Sequence, residues 1–131
     1  MKDKIEKQEM LYRAIKRSRP DWLEKGKPTS GMFKDENGNS VDRDDNRSIE
    51  EIVQFMRNTT FGKRLKGVVE LNAGDCMNIG TKVVAAKTEK NPYHANIFLD
   101  DDEKIGTLQA LMLADVSVVV YEDPEIKWVF S

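Results

Sequence analysis

The stretch GVVELNAGDCMNIGTKVVAAKTEKNPYHANIFL, residues 67–99, decides the fold. It holds three extended segments in succession: GVVELNA (67–73), KVVAAK (82–87) and YHANIFL (93–99). The first two are joined only by GDCMNIGT. Strands that follow one another, instead of alternating strictly with helices, favour α+β over a doubly wound parallel sheet. In the third segment Pro92 biases Asn91 away from helical backbone, so the strand begins after it. Alternation then places Tyr93, Ala95, Ile97 and Leu99 on an apolar side, and His94, Asn96 and Phe98 on the other.

Upstream, MLYRAIK (10–16) reads as a first strand, with Leu11 and Ile15 on one side and Tyr12 and Ala14 on the other. SRPDWLEKGKPTSG (18–31) carries two prolines and two glycines, which predicts a loop pinned by Trp22 and Leu23. The Asn-Gly pair in MFKDENGNSVDR, between two short extended segments and flanked by Glu36 and Asn39, is a hairpin signal. SIEEIVQFMRN (48–58) has Ser48 placed to cap a helix and Glu51 three residues on, the spacing of a capping box. Ile49, Ile52, Val53 and Met56 then follow a helical apolar period.

Downstream, a second helix is predicted over about residues 104–114, after the acidic run Asp100 to Glu103, which suits a helix N-terminus. LQALMLA is apolar nearly all round and is expected to be buried, and VSVVVY (116–121) to form a core strand. The whole is expected to be one α+β domain over residues 10–131. A mixed or mostly antiparallel sheet would carry two helices on one face, after a flexible N-terminal arm of residues 1–9.

At 131 residues the chain suffices for one core. A net charge of −2 gives no overall cationic field, so nucleic acid is not an expected partner. The single cysteine excludes an internal disulfide and suggests a reducing compartment. MKDKIEKQEM has charge where a signal peptide needs an apolar core, and VSVVVY is too short to cross a bilayer. A cytoplasmic protein without a membrane segment is expected. One Cys and one His cannot build a structural zinc site, and no cofactor is expected, although the carboxylates leave Mg²⁺ or Ca²⁺ open.

Three segments carry candidate chemistry. NSVDRDDNRS (39–48) places Asp42, Arg43, Ser40 and Arg47 just before the capped helix, with Arg43 as a possible clamp for a carboxylate or phosphate. NPYHAN (91–96) offers Asn91, His94 and Asn96. His94 is the only histidine, and an imidazole titrates near neutrality and can act as a general base. The alternative is that it bonds a backbone carbonyl and orders the turn at Asn91. RNTTFGKRLK (57–66) gathers Arg57, Lys63, Arg64 and Lys66 around Phe61, and together with Arg13, Lys16, Arg17 and Arg19 these form a candidate patch for phosphate or an acidic partner. Cys76 follows Asp75, whose charge disfavours a thiolate, so it reads as a loop or core cysteine. Neither a P-loop nor a dinucleotide fingerprint occurs.

LYRAI (11–15), TSGMFKDENGNSVDRD (29–44), the capped helix and NPYHANI (91–97) together resemble a loose group of small uncharacterised bacterial proteins. That group has an LYR start, an S-x-x-F…G-x-SVDR segment and an NPxHA segment. The resemblance spans most of residues 11–120 and implies a bacterial or phage genome, but no mechanism. It draws attention to Ser40, Asp42, Arg43, Asn91, Pro92 and His94. LYR alone is similar to the first strand of ADP-ribosyltransferase-like folds, and no catalytic residue follows from it.

Two functions are therefore expected. The first is a small binding module for a partner protein, accessory to a larger multi-gene system, with residues 40–47 and 91–96 as its recognition surface. The alternative is a small hydrolase or transferase acting on a phosphate-containing substrate. His94 would be its acid/base, Arg43 its anion clamp and Asp42 the group that orients the imidazole.

Overall fold

The computed structural model describes residues 1–35, 38–99 and 105–130. Among these residues, eight strands and three α-helices follow in order. The strands are β1 Met10–Lys16, β2 Leu23–Glu24, β3 Lys27–Pro28, β4 Asn39–Arg43, β5 Leu65–Asn72, β6 Thr81–Ala85, β7 His94–Leu99 and β8 Val118–Glu122. The helices are α1 Ile49–Phe55, α2 Ala73–Asn78 and α3 Thr107–Val116. Six strands form one sheet in the order β6-β7-β4-β1-β5-β8, every neighbouring pair antiparallel, and β2 and β3 pair separately. The expected α+β class, with an antiparallel sheet, is the one observed.

Strand β1 lies between β4 and β5, so the two strands it separates run parallel to each other. The chain must therefore cross over β1 to pass from β4 to β5, and α1 is that crossover. Its Ile52 and Val53, with Met56 just beyond it, bury against Tyr12, Ala14, Leu65 and Val68 on one sheet face. The capping box is present: Ser48 Oγ accepts from the Glu51 N–H, and the Glu51 carboxylate accepts from the Ser48 N–H. A single π turn, Met56–Thr60, continues the helix.

The other face carries the larger core. Leu11, Ile15, Val41, Val69, Ala95 and Ile97 point into it, with Trp22 from the segment before β2 and Phe33 from the segment after β3. Ala110, Leu113 and Ala114 of α3 cover it, and Ala73 and Cys76 of α2 close one end. The helices expected from sequence thus lie on opposite faces, because each crossover passes on its own side of the sheet. Helix α2 falls inside the connection GDCMNIGT; Asn72 caps it by accepting from the Asp75 N–H.

Three other expectations are corrected. The N-terminal arm is docked: Ile5 is 4% exposed within the main core, and the carbonyls of Lys7 and Glu9 accept from the N–H groups of Gly74 and Ala73. Helix α3 is half open, with Leu108, Leu111 and Met112 exposed at 65%, 49% and 39%. VSVVVY contributes an edge strand, and Val118 is exposed. The acidic run 100–103 and the Glu36-Asn37 part of the predicted hairpin lie outside the described residues. Among the described residues no helix is long and apolar enough to cross a membrane.

Candidate functional site

Four titratable side chains stand in a row across adjacent strands on the α1 face. Glu70 of β5 is the register partner of Tyr12 on β1, Tyr12 of Asp42 on β4, and Asp42 of His94 on β7. Side chains directly opposite on neighbouring strands share a face, so the row follows from register alone. The Tyr12 hydroxyl donates to Glu70 Oε2 at 2.7 Å, and burial together with this carboxylate pushes the phenol well above its ordinary range.

Asp42 is 5% exposed. Its Oδ1 accepts from Asn91 Nδ2 at 2.9 Å, while Oδ2 has no hydrogen-bond partner in the protein. Burial pushes its carboxyl above the usual carboxylate range, against the opposing pull of Asn91, Arg47 and His94.

His94 closes the connection between β6 and β7. Its carbonyl accepts from the Ala86 N–H at 2.8 Å, and its Nδ1 lies 3.0 Å from the Ala86 carbonyl oxygen. A carbonyl can only accept, so Nδ1 carries a proton, and in the neutral ring Nε2 is the acceptor. The carbonyl contact is the alternative anticipated from sequence, but the turn itself is ordered by Asn91. The Asn91 Oδ1 accepts from the Tyr93 N–H, its carbonyl from the Thr88 N–H, and its own N–H donates to Thr88 Oγ1.

The row borders a cleft made by a defect in the sheet. Strands β1 and β4 hold register at two residue pairs, Leu11–Arg43 and Tyr12–Asp42, whereas β1 pairs with β5 from Met10 to Lys16, with one register shift between Ile15 and Lys16. Beyond Tyr12 the two strands splay. Arg13, 4% exposed and on the opposite face from Tyr12 and Asp42, spans the gap: its Nε donates to the Met32 carbonyl at 2.9 Å and its Nη1 to the Ser40 carbonyl at 2.8 Å. Its guanidinium also stacks on Trp22 at 4.9 Å, and burial lowers its pKa to about 10, which leaves it charged at neutral pH. The space left between the strands measures about 250 Å³. Asp42, Asn91, His94 and Ser40 line it on one side, Lys16 and Trp22 on the other. A second, wider cavity shares Thr60, Asn91 and His94 with it.

The remaining sequence candidates fall elsewhere. Arg43 is the next residue after Asp42, and strand alternation sends it to the opposite face. There Nε donates to Glu9 Oε1 at 2.8 Å and Nη1 to the Lys2 carbonyl, so it fixes the N-terminal arm and is not an anion clamp beside His94. Arg47 stacks on Tyr93 at 3.4 Å and donates to the Arg43 and Asp44 carbonyls. Asn96 accepts from Ser40 Oγ at 3.5 Å, a contact between β4 and β7. In the basic segment, Arg57 pairs with Asp123, Arg64 donates to the Thr60 and Phe61 carbonyls, and Lys66 donates to the Asp123 carbonyl. Three of its four cations are thus committed to contacts within the chain, and Lys63 is exposed. Cys76 is fully buried, and burial with the neighbouring Asp75 pushes its thiol up to about 12, so it is no nucleophile. No cluster of His, Cys, Asp and Glu suited to a metal ion occurs among the described residues.

Tyr12, Glu70 and Trp22 are site residues that the sequence does not single out, and it offers Arg13 only as part of a basic patch. The alternation of MLYRAIK places Tyr12 opposite the apolar stripe, but its neighbours are set by the pairing of β1 with β4 and β5. Sequence spacing does not encode that register. No protein-family model, curated protein or solved structure matches the chain.

Proposed function

We propose that the protein is a small binding module and that the cleft between β1 and β4 is its recognition site. The supporting observation is the Asp42 carboxylate: a buried acid in the cleft wall, held by Asn91 at one oxygen and unpartnered at the other. Buried polar atoms are satisfied in folded proteins as a rule, and leaving one unmet costs about 1–3 kcal/mol. A bound group that donates to Oδ2 removes that cost. Convergent polar groups on a partly apolar concave wall are the usual form of a small-ligand site. This reading keeps the expected binding role but places it in a cleft. In the basic segment, Arg57, Arg64 and Lys66 make contacts within the chain and Lys63 is exposed, which lends a partner-protein or phosphate site there less support. A cytoplasmic setting in a bacterial or phage system fits the single reduced cysteine and the resemblance noted above.

The test is a thermal-shift screen of small polar metabolites against the wild type and Thr60→Trp. Thr60 is exposed at the cleft mouth, so the indole blocks entry without touching the core. Compounds that raise the wild-type melting temperature should lose that effect in the variant. A screen without hits, or hits indifferent to Thr60→Trp, contradicts the reading.

A second reading is favoured by the His94 tautomer. With Nδ1 tied to Ala86, Nε2 is free to take a proton from a bound molecule, as a general base does. The enzyme would then work with His94 and Asp42 but without Arg43. Turnover of a screening hit that disappears in His94→Gln would establish it, and stable, unaltered hits would dismiss it.

A further inference from the structure

We infer that the β1/β4 cleft takes an uncharged small molecule carrying both a hydrogen-bond donor and an acceptor, of the lactam or amide class. This rests on the cleft being a binding site. Among the described residues, three buried side-chain polar atoms lack a hydrogen-bond partner: Arg17 Nε, Trp22 Nε1 and Asp42 Oδ2. Trp22 and Asp42 line the same cleft, at 4% and 5% exposure. One is a donor without an acceptor and the other an acceptor without a donor. A ligand presenting a C=O to the indole and an N–H to the carboxylate satisfies both. His94 Nε2 offers a further acceptor on the same wall.

The charges of the wall argue for neutrality. Arg13 and Lys16 contribute two cations, and Asp35 and Asp42 two carboxylates. A phosphate or an ammonium would enter with a charge that this balanced lining leaves uncompensated, which is costly against a largely apolar wall. Size and surface argue against water alone. The space of about 250 Å³ is much more than one water needs. Ala14, Val41, Met56 and Phe61 form much of its wall and give water no partners. A flat ring with polar groups on one edge and apolar faces matches such a lining.

The experiment titrates ¹⁵N-labelled protein separately with uracil, inorganic phosphate and ethylammonium. The chain has two tryptophans, so Trp128 supplies an internal control for the Trp22 indole signal. Uracil is expected to shift the Trp22 indole N–H and the amides of Asp42 and His94. Trp22→Phe, which keeps an aromatic face and removes a donor that has no protein partner, is expected to weaken uracil at least about fivefold, the worth of one hydrogen bond. If phosphate or ethylammonium moves these signals and uracil does not, the neutral class is overturned while the binding site stands. If none of the three moves them, water alone meets the two atoms and the inference is overturned. An empty thermal-shift screen separately marks failure of the binding reading itself.

Discussion

Asp42 and His94 face each other across β4 and β7, yet neither is the other's hydrogen-bond partner. Asp42 is held by Asn91 and His94 by the Ala86 carbonyl. The pair is thus a fixed juxtaposition whose free atoms, Asp42 Oδ2 and His94 Nε2, are available to a third group.

Burial raises the Asp42 carboxyl above its ordinary range, and this gives a pH signature. An acid with a raised folded-state pKa favours folding at pH values below its unfolded value; that contribution is lost as pH rises through the folded pKa. Asp42→Asn removes the ionisation and still accepts from Asn91. Its melting temperature should exceed wild type by a few degrees at pH 8, with the gap closing by pH 3, as followed by circular dichroism. A gap that widens in acid would show that Asp42 is instead a stabilised carboxylate.

The contact between His94 and Ala86 fixes which ring nitrogen is protonated. Long-range ¹H–¹⁵N correlation at pH 8 should show the Nδ1–H tautomer. His94→Ala should lower stability by about 1 kcal/mol, the net worth of one such bond. An Nε2–H tautomer would mean that the ring is turned and that its base is not directed into the cleft.

Arg43 and Glu9 form a largely buried pair, with side-chain exposures of 5% and 14%. Arg43→Ala should cost about 3–5 kcal/mol in urea unfolding at pH 7, because Glu9 is left uncompensated. Burial pulls the Glu9 carboxyl up, but the Arg43 hydrogen bond, the Glu6 N–H and the Arg43 charge carry it below its ordinary value. The contribution of Glu9 is therefore present above the usual glutamate range and lost as pH falls through its folded pKa. The cost of Arg43→Ala should shrink accordingly at pH 3, and ligands of the cleft should keep their affinity for the variant.

Arg13 holds the splayed strands by two carbonyl contacts. Arg13→Met leaves the Met32 and Ser40 carbonyls unmet and should cost about 2–4 kcal/mol by denaturant unfolding. A change under 0.5 kcal/mol would show that the cleft stands without its bridge.

What could be read in advance was what local periodicity controls. Strand β1 spans Met10–Lys16 as the alternation of MLYRAIK indicates, the box of Ser48 and Glu51 starts α1, and Ala95 and Ile97 face the core as expected. Helix α3 misled because an all-apolar pattern does not say which side is covered; Leu108, Leu111 and Met112 remain outside. At the site, parity placed His94 away from the apolar stripe but could not supply its neighbours. Asp42 and Arg43, adjacent in sequence, go to opposite faces, so a three-residue site chosen by residue type had to lose one of them. The cleft itself comes from strands that part after Tyr12, a matter of long-range pairing around a buried arginine.

The most direct measurement of the central claim is an amide-shift map of ¹⁵N-labelled protein titrated with the compounds that stabilise it. The account predicts shifts concentrated at residues 12–16, 40–42 and 91–94 and in the Trp22 indole. Shifts centred instead on the exposed side of α3 at Leu108, Leu111 and Met112, with the cleft silent, would contradict it.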